Sequence, residues 1–175
     1  MYGAPVDLSF KQLSSLADTW MVEPTRGQRP LKRNAKMKYE SHSLRLSNNN
    51  IVDLIDLQKT VDQFLAEPFQ LAWLDLSFNK ITHIDPVLCE LRELRVLYLH
   101  GNNIFTLSEV NRLGALPHLH SLTLHGNDIE ANKSYRNCVI SALPNLKTMD
   151  FSAVTKQERE MAQIWHCSNS RRRKQ

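Results

Sequence analysis

The sequence predicts an α/β repeat fold: a right-handed solenoid with a concave parallel β-sheet and helical or 3₁₀ returns on its convex side. Three observations predict it. Leu71, Leu74, Leu76, Asn79 and Ile81 recur 23 residues later as Leu94, Leu97, Leu99, Asn102 and Ile104, and 25 residues after that as Leu119, Leu122, Leu124, Asn127 and Ile129. The alternation inside each copy is a strand with one apolar side, and the Asn follows where the chain bends and buried backbone needs side-chain partners. Between copies, Ile81, Ile84, Val87, Leu88 and Leu91 keep a three-to-four-residue apolar rhythm that suits a helical or 3₁₀ return. One strand and one return cannot bury an apolar face alone, so the copies stack, and parallel strands joined by crossovers wind right-handedly.

The shared pattern, L-x-x-L-x-L-x-x-N-x-I, is the leucine-rich-repeat signature. An earlier copy keeps Leu44, Leu46, Asn49 and Ile51, with Ser41 where the first Leu belongs. A degenerate fifth strand reads Leu146, Met149 and Phe151 and lacks the Asn. Residues 41–151 therefore form four full repeats and a fifth strand.

Composition agrees with a compact chain. Of 175 residues, 42% are hydrophobic and 23% charged, which is globular usage. Cys89, Cys138 and Cys167 are widely spaced and odd in number, which favours reduced thiols in an intracellular compartment over a disulfide framework. The opening MYGAPVDLSFKQL shows no basic-then-apolar secretory pattern, and no run approaches the length of a membrane span. The net charge of +4 is uneven. Residues 41–165 hold 11 Lys/Arg against 14 Asp/Glu, whereas residues 22–40 hold six bases against two acids. Arg171, Arg172, Arg173 and Lys174 make a basic tail within 167–175.

In chain order, residues 1–21 form an amphipathic N-terminal segment. Phe10, Leu13, Leu16, Ala17 and Trp20 fall near one face of a short helix that Asp7 or Ser9 would cap. It can shield the open edge of the solenoid or dock on a partner, and the general need for terminal caps favours the first. Residues 22–40 read as an extended basic linker. That linker can bind an acidic surface or lie solvated against the acidic body, and the absence of interleaved aromatics favours the second.

The first return, from Asp53 to Pro68, is the longest, because Leu44 and Leu74 stand 30 residues apart. Leu54, Leu57, Val61, Phe64 and Leu65 form a helical stripe there, and Pro68 stops it. Leu107, Val110, Leu113 and Leu116 line the third return, and Tyr135, Val139, Ile140 and Leu143 the fourth. Thr155-x-x-Glu158 is a capping box that opens a C-terminal cap helix over 152–166, with Met161, Ala162 and Trp165 facing inward.

At this point a resemblance becomes specific. YR-x-x-VI-x-x-LPNLK-x-x-D, followed by VT-x-x-ER, resembles the C-terminal cap of short intracellular leucine-rich-repeat proteins. That group includes an axonemal dynein light chain, a spliceosomal snRNP subunit and the regulatory subunit of protein phosphatase 1. RPLKR, LAWLDLSFN, IDPVL, VLYLHGN, LHSLTLHGN and VTKQER together resemble one member of the group from about Thr25 to Trp165. The resemblance implies a cytoplasmic location and a protein-binding role, with relatives common in cilia.

Strand alternation supplies the candidate surface. With the Leu side chains inward, the third, fifth, seventh and eighth positions of each copy face the concave side. From these, Arg45, Trp73, Asp75, Phe78, Tyr98, His100, Thr123 and His125 are the candidate protein-binding residues. Trp, Tyr and Arg are the types that most often anchor interfaces. The alternative places Phe78 in the turn and Trp73 under the N-terminal segment.

Chemistry at this face is harder to build. His100 and His125 share a rung, but a zinc site needs three or four ligands, and Ser47 and Ser77 are not usual ones. Asp75, His100 and Ser121 are triad residue types with nothing to supply an oxyanion hole. The expectation is therefore no enzyme, no metal and no cofactor. The expected function is a non-catalytic adaptor or structural subunit, monomeric outside its complex, with protein partners that include axonemal ones. The rival is an RNA-associated subunit that uses the basic flanks, although the acidic body and the lack of a recognised RNA motif oppose it.

Overall fold

The computed structural model describes residues 2–172. Seven short strands lie side by side in chain order: β1 (Val6–Asp7), β2 (Ser43–Arg45), β3 (Trp73–Asp75), β4 (Val96–Tyr98), β5 (Ser121–Thr123), β6 (Thr148–Met149) and β7 (Ser152–Ala153). The first six run parallel, and β7 closes the sheet antiparallel to β6. In-register pairing stacks Leu44, Leu74, Leu97, Leu122 and Met149 into one fully buried row. Each such burial contributes roughly 1.5–3 kcal/mol.

The returns differ with their length. The longest holds an α-helix, α1 (Leu57–Phe64), which buries Leu57, Thr60, Val61 and Phe64. The shorter ones are 3₁₀ turns at Pro86–Glu90 and Leu107–Ala115, where too few residues are available for more. The fourth return pairs a 3₁₀ turn with α2 (Tyr135–Ala142).

The expected role of the turn asparagines is met. Asn49, Asn79, Asn102 and Asn127 are all buried. The Asn102 amide donates to the Leu76 carbonyl at 3.0 Å and the Leu99 carbonyl at 2.9 Å, and its oxygen accepts from the Ile81 N–H at 3.0 Å. Asn79 and Asn127 repeat the arrangement one coil either side.

The N-terminal helix expected over Ser9 to Trp20 does not form. Val6 and Leu8 instead alternate into the core beside β2, and Phe10 and Gln12 take left-handed backbone angles of 56° and 58° that a helix cannot contain. Phe10 and Trp20 stand exposed, whereas Leu13 and Leu16 remain inward. A 3₁₀ turn over Leu16–Met21 starts at Ser15, where Ser15 and Asp18 complete a reciprocal cap. Asp7 caps no helix and accepts the Ser9 N–H and hydroxyl at 2.9 and 2.6 Å. The segment covers the solenoid's end: the Asn49 oxygen receives the N–H groups of Lys11 and Leu13.

The basic linker rests on the solenoid at a few points while most of its residues stay exposed. The Thr25 N–H donates to the Asp7 carbonyl at 2.7 Å, along the outer edge of β1. Arg33 and Tyr39 form an antiparallel bridge around a turn organised by Asn34, and Tyr39 pairs with Leu65 beyond α1.

At the other end, the Thr155–Glu158 capping box forms as expected and opens α3 (Lys156–Arg172). The helix continues past 166 into the segment assigned as a basic tail; Arg173 and Lys174 lie outside the described residues. Ala162 is buried and Trp165 partly so, but Met161 is exposed, contrary to its expected inward position. Phe151 also departs from expectation. Asp150 and Phe151 have left-handed φ angles of 52° and 62°, so the β6–β7 turn flips the Phe151 ring out of the core. Among the described residues, no helix is long and apolar enough to cross a membrane.

Candidate functional site

The strand register brings Arg45, Asp75, Tyr98 and Thr123 into one outward row, with Asp7 ahead of them. Arg45 lies between two carboxylates, with Nη1 3.5 Å from Asp7 and Nε 3.7 Å from Asp75. Both carboxylates are held from below in the same way. Asp75 accepts the Ser77 N–H and hydroxyl at 3.0 and 2.6 Å, as Asp7 does from Ser9. The guanidinium carbon also sits 5.4 Å from the centre of the Trp73 ring, a cation–π contact. Trp73 meets Tyr98 edge to face at 5.6 Å. The Trp73 side chain is partly exposed on the face, and the Ser43 hydroxyl at the same register on β2 donates to the Tyr2 carbonyl at 3.0 Å, so the N-terminal segment passes close by.

The next row carries the histidines. His100 and His125 stack with centroids 4.7 Å apart and planes within 7°. His100 Nδ1 is 2.6 Å from the Thr123 hydroxyl, and His125 Nδ1 is 3.2 Å from Asp150 Oδ1. Burial, and secondarily the neighbouring His125, push the His100 pKa down, so this imidazole is neutral at pH 7. Phe78 meets His100 edge-on at 5.0 Å. Its position depends on Gly101: a Cβ there would lie 2.6 Å from the Phe78 ring, at a backbone angle of +68° that already disfavours side chains. Phe78 thus spans the turn, as the alternative held, yet it also remains about half exposed.

Of the eight candidates, Arg45, Trp73, Phe78, Tyr98 and His125 offer surface to a partner. Asp75 and His100 are nearly covered, and Thr123 has no exposed surface at all. Thr123 is therefore no contact residue; it fixes the His100 ring.

Two further residues belong to the face. Phe151 packs edge-on against Tyr98, His100 and His125 at 5.3–5.7 Å, with most of its ring exposed. Asp150 stands in for the backbone carbonyls that the fifth strand fails to supply: Oδ1 accepts the N–H groups of Leu124 and His125 at 2.7 and 3.1 Å, and Oδ2 accepts the Tyr135 hydroxyl at 2.8 Å. Burial and that carboxylate push the Tyr135 phenol far up, keeping it a donor. The invariant spacing of Leu146 and Met149 disguised Phe151 as a core residue, while Asp150 was visible as the last letter of LPNLK-x-x-D.

The triad residue types stay apart on this face. Ser121 is bonded to the Thr148 hydroxyl at 2.7 Å and Asp75 to Arg45 and Ser77, so neither joins His100. The stacked imidazoles present parallel rings, and among the described residues His, Cys, Asp and Glu form no group of three that could hold a metal. What the arrangement offers is a row of aromatic edges with one fixed guanidinium, suited to an apolar side chain and a carboxylate or carbonyl.

Comparison with known proteins places this architecture. A leucine-rich-repeat family model matches residues 42–174. Leucine-rich repeat-containing protein 51 of Rattus norvegicus is 49% identical over 170 residues, 97% of this chain and 88% of that protein. U2 small nuclear ribonucleoprotein A' of Saccharomyces cerevisiae is 32% identical over 123 residues, 70% of this chain and 48% of that protein. Among solved structures, a chain of the Drosophila melanogaster SNF/U2A' complex superposes with a TM-score of 0.60 at 25% identity, covering 79% of this chain and 77% of that one.

Proposed function

Because the chain belongs to the leucine-rich-repeat family, we propose that it works as a non-catalytic adaptor or structural subunit that grips a protein partner on its concave face. The observation that carries this reading is the contiguous, partly exposed line from Arg45 through Trp73 and Tyr98 to Phe151, braced from below by bonded carboxylates and hydroxyls. A preorganised aromatic row binds without the entropy cost of ordering loose side chains. The cellular context we infer is cytoplasmic and ciliary or axonemal, on the likeness of the Tyr135–Asp150 cap to that of an axonemal dynein light chain.

A second reading, membership in a ribonucleoprotein, is favoured by the similarity to the yeast U2 subunit and to the SNF/U2A' complex. Proximity labelling and co-purification from ciliated cells separate the two. Recovery of axonemal proteins supports the first context, and recovery of RNA-processing factors replaces it with the second.

A further inference from the structure

The basic linker does more than cover an edge. Residues 24–33, with the Arg33–Tyr39 hairpin, border a cleft of about 790 Å³ beside β1, at the N-terminal end of the concave sheet. Arg26, Arg29, Arg33 and Arg45 line it, and Asp7 is its one acidic lining residue. The carboxylate is already engaged by Ser9 and Arg45. Arg33 is committed to the Tyr39 ring, 4.4 Å from its centre, and to Glu23 at 3.6 Å. Arg26 and Arg29, in contrast, form no ion pair among the described residues, and Nη2 of Arg45 makes neither of that residue's two charged contacts. Pro5, Pro24, Pro30, Leu31 and Met37 add apolar wall, with Thr25 and Gln28 beside them.

We propose that this cleft is a binding site for a short acidic peptide segment, whose carboxylates pair with Arg26, Arg29 and Arg45 while an apolar side chain between them rests on the proline and leucine walls. Planar guanidinium groups match carboxylates in paired hydrogen bonds, and partial enclosure by apolar walls strengthens each pair. Arg45 borders both this cleft and the Trp73 ring, so an extended chain seated in the cleft continues onto the concave sheet. A nucleic acid fits less well. The Tyr39 face that would stack a base is occupied by Arg33, and the net negative charge of residues 41–165 repels a polyanion that extends beyond the cleft.

The site extends the concave-face reading and is tested independently of it. The probe is a short fluorescein-labelled peptide of repeated Glu-Glu-Leu units, titrated into the full-length chain by anisotropy. The controls are a Gln-Gln-Leu peptide and a labelled oligouridylate of similar length. The Glu peptide should bind, the Gln peptide should not, and R26Q/R29Q should weaken binding about tenfold, or roughly 1.4 kcal/mol. Arg26 and Arg29 are exposed, so the variant keeps the fold, as its circular dichroism will verify. Equal binding of the Gln peptide, tighter binding of the oligouridylate, or an unchanged affinity in R26Q/R29Q each overturns the proposal. Any of these failures leaves the aromatic face untouched, since that face is read with the co-purified partner.

Discussion

Replacing the turn asparagines by leucine should have unequal costs that the hydrogen-bond ladder sets. Asn102→Leu removes two amide donors and one acceptor, but the Leu76 carbonyl keeps its bond from Asn79 and the Leu99 carbonyl keeps its bond from Asn127. Only the Ile81 N–H is orphaned. A buried orphan costs about 1–3 kcal/mol, and the two weakened carbonyls add some tenths each. Asn127→Leu removes the same set at the last full coil. The fifth strand has no Asn, so the Leu124 carbonyl, bonded at 2.8 Å to Asn127, loses its amide partner together with the Ile104 N–H. Asn127→Leu should therefore cost about 1–3 kcal/mol more than Asn102→Leu. Urea unfolding of both variants measures the difference, which corresponds to roughly 2–4 °C in Tm per kcal/mol for a chain of this size. Equal midpoints, or the reverse order, would refute the idea that shared carbonyls make the inner rungs redundant.

Three other outcomes follow from specific contacts. Deleting residues 2–20 strips Val6, Leu8, Leu13 and Leu16 from the core and should cause aggregation, seen by light scattering; a soluble and equally stable truncation would disprove the capping role. Arg136 binds Glu158 across α2 and α3, and that hydrogen bond holds the Glu158 carboxyl at about 2, below its ordinary 4.5. A depressed carboxyl pKa stabilises the fold above the unfolded value, so this contribution is present above pH of about 4.5 and is lost as pH falls toward 2. The Tm of the parent should exceed that of Glu158→Gln at pH 7, and the gap should close across that window. Gly101→Ala should displace Phe78 at a left-handed backbone position, costing on the order of 1 kcal/mol and broadening the Phe78 and His100 resonances.

The solenoid was legible because its signal is periodic. Every inward Leu of β2 to β5 and all four turn Asn residues stand where the repeat places them. Legibility ended where the repeat did. Phe10 looks helical by spacing with Leu13 and Leu16, but pairing of Val6 with β2 overrides local propensity. Phe151 matches an inward position, yet the antiparallel return into β7 reverses it. The concave row followed directly from alternation, and its contacts did not: Thr123 is inaccessible because the stacked histidines cover that rung, a matter of side-chain packing. The bases of the linker are plain in the sequence, but the cleft they line is not, because Thr25 docks through its backbone, which carries no side-chain pattern.

The most direct measurement is the affinity of the co-purified partner, against salt, for a Trp73→Ala/Tyr98→Ala double variant and for a variant neutralised at Arg171, Arg172, Arg173 and Lys174. A concave protein-binding face predicts a loss of about 2 kcal/mol or more for the aromatic pair, with the fold intact. The neutralised tail should then change mainly the association rate and its salt dependence. Full binding by the double variant, with binding lost in the tail variant and a salt slope that falls with each base removed, would contradict it and point to nucleic acid.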